Sequence, residues 1–133
     1  MIAIDASVAT KLINTQEDGA DRAKKLLLSH IEDREQIVVP SLLFVEIANV
    51  LATKSHMKKA YVQKALHLLY EAKFVVHEIK EDDLIESAIL AKKHGTSVYD
   101  MVYAVIAKKR KIKLITADKK FAKQVNFPFV QIL

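Results

Sequence analysis

From Ser41 to Leu51 the chain reads SLLFVEIANVL, and this stretch restricts the possible folds more than any other. At 3.6 residues per turn its apolar side chains point nearly all the way round, which predicts a helix buried on most of its faces. Glu46 stands in the middle of it. A carboxylate in such surroundings is costly to desolvate unless it is protonated, paired with a cation or bound to a metal. No Lys or Arg lies inside the stretch, and the nearest downstream, Lys54, falls about two turns on and on a different face. Either Glu46 occupies the helix's one exposed edge beside Asn49, or it shares a site with other carboxylates. The rest of the sequence bears on that choice.

The remaining segments alternate in type. Short apolar runs at Met1–Asp5, Gln36–Val39, Phe74–Ile79, Lys113–Thr116 and Phe129–Leu133 predict strands. Between them, helices are predicted over Val8–Ile13 with Ser7 as cap, over Asp18–Ile31 with Ala20, Ala23, Leu26, Leu27 and Ile31 inward, and from Ser41 after Pro40 ends its strand. Further helices cover Lys58–Ala72, Asp82–His94 closed by Gly95, Val98–Ala107 opened by Ser97, and a short one from Asp118 through Val125. This is the pattern of βαβ crossovers, hence an α/β fold with a central parallel sheet covered on both faces. In the Lys58–Ala72 helix the stripe Tyr61, Val62, Ala65, Leu66, Leu68, Leu69 and Tyr70 is broader than a small core needs, so part of it is a candidate subunit contact.

A chain of 133 residues, 51% hydrophobic and without Pro- or Gly-rich tracts, is expected to form a single domain over residues 1–133. No apolar run approaches the roughly 20 residues of a membrane span, and MIAIDAS lacks the basic region of a signal peptide, so a cytoplasmic protein is expected. With no cysteine, disulfides, thiolate chemistry and Cys-ligated zinc are excluded. The net charge of +5 is compatible with a polyanionic partner, although many lysines also read as solvated helix faces.

Of 16 acidic residues, twelve lie in or beside charged runs such as QEDGAD, IEDRE and KEDD. The other four, Asp5, Glu46, Asp100 and Asp118, each interrupt or end an apolar segment. Three of them have a second explanation. Asp5 and Asp118 are at positions that cap helices, and Asp100 stands three residues after Ser97, the spacing of a capping box. Glu46 is at no helix end, which favours one shared site over four separate accidents. In an open parallel sheet such a site lies beyond the carboxyl ends of the strands, where the order of connection reverses. Asp5 and Asp118 both reach that edge if their strands are neighbours. Carboxylates so crowded cannot all ionise without cations, and hard oxygen donors select Mg²⁺ or Mn²⁺, a site suited to phosphodiester hydrolysis.

At these residues the chain resembles the PIN-domain ribonucleases, in particular the VapC toxins of VapBC toxin and antitoxin pairs. MIAIDAS resembles the opening strand with the first acidic ligand at Asp5 and a small hydroxyl residue at Ser7. PSLLFVEIANVL, SVYDMVYAVIAKK and LITADKKF resemble the next three motifs in order, giving Glu46, Asp100, and Thr116 with Asp118. The resemblance implies a three-layer α/β/α sandwich and a Mg²⁺- or Mn²⁺-dependent endoribonuclease. Asp5, Glu46, Asp100 and Asp118 would be its catalytic metal ligands, and Ser7 and Thr116 supporting hydroxyls. It also implies a homodimer and a VapB-like antitoxin whose tail occupies the acidic groove. One departure is that Lys119 and Lys120 follow Asp118, where some relatives carry a further acid.

Other residues add less. His30, His56, His67, His77 and His94 show no metal-ligand spacing and no attached Asp or Ser, and are expected to be surface or packing groups. Gly19 and Gly95 are the only glycines, so no phosphate-binding glycine loop exists. Lys108, Lys109, Arg110, Lys111 and Lys113, with Lys119 and Lys120, form the densest basic segment; they read either as RNA-backbone contacts or as an exposed helix end. Two rival functions are a non-cleaving RNA- or protein-binding module of the same fold and a receiver-type phosphoacceptor domain. The second fits poorly, because paired acids after the first strand are missing.

Overall fold

The computed structural model describes residues 1–53 and 56–133; Lys54 lies outside them. Among the described residues the chain forms β1 (Ile2–Ile4), α1 (Ala6–Ile13), α2 (Ala20–Ile31), β2 (Ile37–Pro40), α3 (Leu42–Thr53), α4 (Lys59–Glu71) and β3 (Val75–His77). There follow α5 (Glu81–His94), α6 (Val98–Arg110), β4 (Lys113–Thr116), α7 (Lys119–Val125) and β5 (Val130–Ile132). The strands make one sheet in the order β3-β2-β1-β4-β5, every neighbouring pair parallel. Right-handed crossovers put α1 to α4 on one face and α5 to α7 on the other, giving the α/β/α sandwich. The packing agrees: α1 touches α2 and α3, α3 touches α4, and α5 runs along α6.

The connection reverses direction between β1 and β4, whose register pairs Ile4 with Ile115. That is where the two sides of the sheet diverge and leave a crevice at the strand ends. In β2 the two-residue strand period divides the side chains between layers. Val38 packs with Val102 and Ile106 of α6, while Ile37 and Val39 join the larger core. Helix α6 is the most buried, with every residue from Met101 to Ala107 inaccessible.

Three expectations are corrected. Helix α3 is not buried on most faces; it buries the stripe Leu43, Ile47 and Leu51 and leaves Val45 65% exposed. Ile31 is 60% exposed and His30 takes the inward position instead. There His30 Nδ1 accepts the Ile37 amide at 3.1 Å while Nε2 donates to Ala72 O at 3.0 Å, tying α2 to β2 and to the end of α4. Third, α1 is capped by Asp5 rather than Ser7. The reason is competition, since the Ser7 hydroxyl is engaged across the sheet edge.

Candidate active site

Two chain segments meet at the β1–β4 edge because each strand there ends in a helix start. Asp5 leaves β1 and caps α1, its Oδ1 accepting from Val8 N at 3.1 Å and from Ser7 Oγ at 2.5 Å. Thr116, the last residue of β4, donates its hydroxyl to the other oxygen, Asp5 Oδ2. Ser7 Oγ in turn accepts Ala117 N at 2.8 Å, and Thr116 Oγ1 accepts Asp118 N at 3.0 Å. The two hydroxyls thus relay between the β1 and β4 ends, as supports for Asp5. Asp118 caps α7 through Oδ1, accepting Phe121 N at 2.9 Å.

From the helical layers come the other two acids. Ser97 caps α6 by accepting Asp100 N at 3.1 Å. The box is not closed by the Ser97 backbone N–H; the Asp100 carboxylate stands in the first turn of α6 with the Ser97 side chain as a hydrogen-bonding neighbour. Glu46 projects from mid-α3, half-buried, and Oε2 accepts the phenol of Tyr103 at 2.5 Å. Tyr103 is one turn beyond Asp100 on the same face of α6.

Charge shows that the four acids are neighbours. Burial raises the pKa of Asp5 against the pull of its three donors, and Asp100 adds to the rise. Burial also raises Glu46, opposed by Tyr103 and reinforced by Asp100 and Asp5. Asp100 is raised by partial desolvation, opposed by a hydrogen bond from the Ser97 side chain and reinforced by Asp118. The Tyr103 phenol is pushed far above its ordinary range by burial, by its bond to Glu46 and by Asp5 and Asp100. Yet among the described residues no ion pair reaches any of the four; the pairs go to Glu17, Glu32, Glu35, Asp82, Asp83 and Glu86.

This donor set fits a hard divalent cation. It offers carboxylate oxygens without nitrogen or sulfur, no cation among the described residues compensates them, and Glu46 Oε1 and Asp118 Oδ2 have no donor there. Among the described residues no three acidic or His side chains close into a ready-made cage. Like charges without a counter-ion hold apart.

Not every candidate residue converges here. Lys119 and Lys120 are exposed in the first turn of α7, directly after Asp118. Lys108 lies about 12 Å along α6 from Asp100 at 1.5 Å per residue. There Lys108 pairs with Glu86 at 2.6 Å, and Lys109 with Asp83 at 2.7 Å and Asp82 at 2.8 Å, all on α5. Arg110 reaches His77 Nδ1 at 3.4 Å, and Lys111 is the left-handed C-cap of α6. His77 does have an attached acid, contrary to the sequence reading: Asp83 Oδ2 is 2.8 Å from Nε2. Their spacing of six residues across a strand-to-helix turn matches no helical or strand period, so periodicity gave no signal. Tyr103 was missed because an aromatic in an apolar helix reads as core; its signal was the spacing of three from Asp100.

Comparison with known proteins agrees with this geometry. Residues 2–126 match the family model of the PIN domain. No curated protein matches the sequence. Among solved structures, PAE2754 from Pyrobaculum aerophilum superposes with a TM-score of 0.73 at 22% identity, covering 98% of this chain and 87% of that one. Mycobacterium tuberculosis VapC20, a sarcin-ricin loop cleaving toxin, gives 0.72 at 15% identity over 92% of this chain and 94% of its own. VapBC2 from Rickettsia felis, bound to a DNA fragment from its promoter, gives 0.72 at 17% identity over 100% and 99%. With four carboxylates gathered at the sheet's reversal and the family match running through all of them, this chain belongs to the PIN domain family.

Proposed function

We propose that this chain is a Mg²⁺- or Mn²⁺-dependent endoribonuclease and the toxin of a type II toxin and antitoxin pair, working in the cytoplasm. The observation that carries the proposal is the set of four neighbouring carboxylates that no cation among the described residues compensates. Asp5, Glu46, Asp100 and Asp118 would hold the ion. When bound, a divalent cation lowers the pKa of a water and offsets charge on phosphoryl oxygens. Ser7 and Thr116 hold Asp5 in one orientation, and the Asp118 carboxylate is fixed by its own helix cap. Lys119 and Lys120 are the cations available for phosphate contacts at the rim. Among the described residues no helix is long and apolar enough to cross a membrane, in keeping with a freely diffusing enzyme.

The toxin reading draws on the similar structures, one of them a sarcin-ricin loop cleaving toxin and another a toxin-antitoxin complex from Klebsiella pneumoniae. It carries with it a VapB-like antitoxin and a homodimer. Exposed Leu68 and Tyr70 on α4, with Leu84, Ile85 and Ile89 on α5, supply apolar surface for such partners. The test is cleavage of a structured RNA pool with Mg²⁺, with EDTA, and by Asp5→Asn and Asp100→Asn. Cutting is expected only from the wild type with metal. Undiminished cutting in chelator would overturn the proposal, and a wild type inert under every divalent cation would favour the non-cleaving binding module.

A further inference from the structure

Asp5 and Asp118 are each fixed by the helix that they cap, and Asp100 sits on a short side chain in a first turn. Glu46 has neither advantage. It rises from the middle of α3 on three rotatable bonds, and the only donor to it among the described residues is the Tyr103 hydroxyl at 2.5 Å. Tyr103 is 1% exposed, its ring locked between layers in the most buried stretch of α6. The phenol is therefore a rigid donor aimed at a flexible acceptor, and the bond joins α3 to the helix that bears Asp100.

We infer that Tyr103 is a positioning residue for the metal site: its hydroxyl occupies Glu46 Oε2 and orients Oε1 toward the other three acids. This rests on the metal-binding reading above. Orientation of this kind acts on affinity, because without the hydroxyl the glutamate must be ordered at the moment of binding. The reacting phosphate is not touched.

The experiment is Mn²⁺ binding, followed by the spectroscopic signal of the free ion without RNA, to wild type, Tyr103→Phe, Glu46→Gln and the double variant. Tyr103→Phe keeps the ring in the core, and metal-free thermal melting checks that each variant folds. The dissociation constant is expected to rise roughly 10-fold or more in Tyr103→Phe. In the Glu46→Gln background the same change should do nothing further, since the partner through which it acts is gone. RNA cleavage by Tyr103→Phe should recover toward the wild-type rate at saturating Mn²⁺. Equal Mn²⁺ affinity in wild type and Tyr103→Phe overturns this inference alone. So does the same loss of affinity in both backgrounds, which is the mark of a loosened core. Failure of the wild type to bind Mn²⁺ overturns the metal reading and this inference with it.

Discussion

Asp5 accepts three hydrogen bonds and still holds its proton more tightly than a free aspartate, because the cost of burial exceeds what the donors return. The same direction holds for Glu46 and Asp100. A carboxyl whose pKa is raised on folding binds more protons in the native than in the unfolded state between the two values. Stability therefore falls as pH rises from the ordinary carboxylate range through the folded value. Without metal, Asp100→Asn should accordingly melt higher than wild type at pH 7, and the difference should close toward pH 4. Added Mg²⁺ should raise the wild-type melting temperature and leave that of the variant nearly unmoved. Cleavage by the variant is expected to drop roughly 100-fold or more, the scale of losing a charge-stabilising group. Thr116→Val removes the hydroxyl that serves both Asp5 and Asp118 N, and should cost about 1–2 kcal/mol in chemical denaturation along with activity. The acids were visible in the sequence because each breaks an apolar segment. The partners of Lys108 and Lys109 were not, since an ion pair between α5 and α6 leaves no periodic trace in either strand of text.

Element boundaries followed local chemistry closely at most of the caps, the expected cap Ser7 of α1 being the exception. Ser97 and Asp118 open α6 and α7, Gly95 closes α5 in the left-handed conformation, and β4 spans Lys113–Thr116 as expected. What failed was the direction of side chains on helices whose apolar residues exceed one stripe. In α3 and α2, composition predicted burial for Val45 and Ile31, whereas tertiary packing chose other positions. His30 is the informative case, being a polar ring that wins an interior place by bonding three elements together. Replacing it with Ala strips Ile37 N and Ala72 O of partners and leaves a void, so urea denaturation should show a loss of roughly 2–4 kcal/mol. Asp83 plays a comparable part at the start of α5, accepting from Lys80 N, His77 and Lys109, which hold its pKa far below the usual range. A lowered carboxyl stabilises above its unfolded pKa and loses that contribution as pH falls. Asp83→Asn should thus be less stable than wild type at pH 7 and approach it below pH 3, as thermal melts across that range would record.

Over the whole molecule, strand order was the step that periodicity could not supply. Alternating strands and helices imply a parallel sheet, but the neighbouring of β1 and β4 depends on a crossover from β3 past two strands. The apolar surplus on α4 was legible, and its exposure at Leu68 and Tyr70 is consistent with a surface awaiting company. Light scattering on the isolated chain is expected to give twice the monomer mass of 15.0 kDa, and a charge at Leu68 or Ile89 to shift it toward one copy. The capping roles of Asp5 and Asp118 have a consequence for how such a chain ages under mutation. Those two side chains start α1 and α7 as well as serving the crevice, so losing either frays a helix. Glu46 and Asp100 begin no helix with their carboxylates. A lineage that abandons the reaction while keeping the scaffold should therefore shed positions 46 and 100 first, and retain aspartate at 5 and 118 long after the reaction has gone.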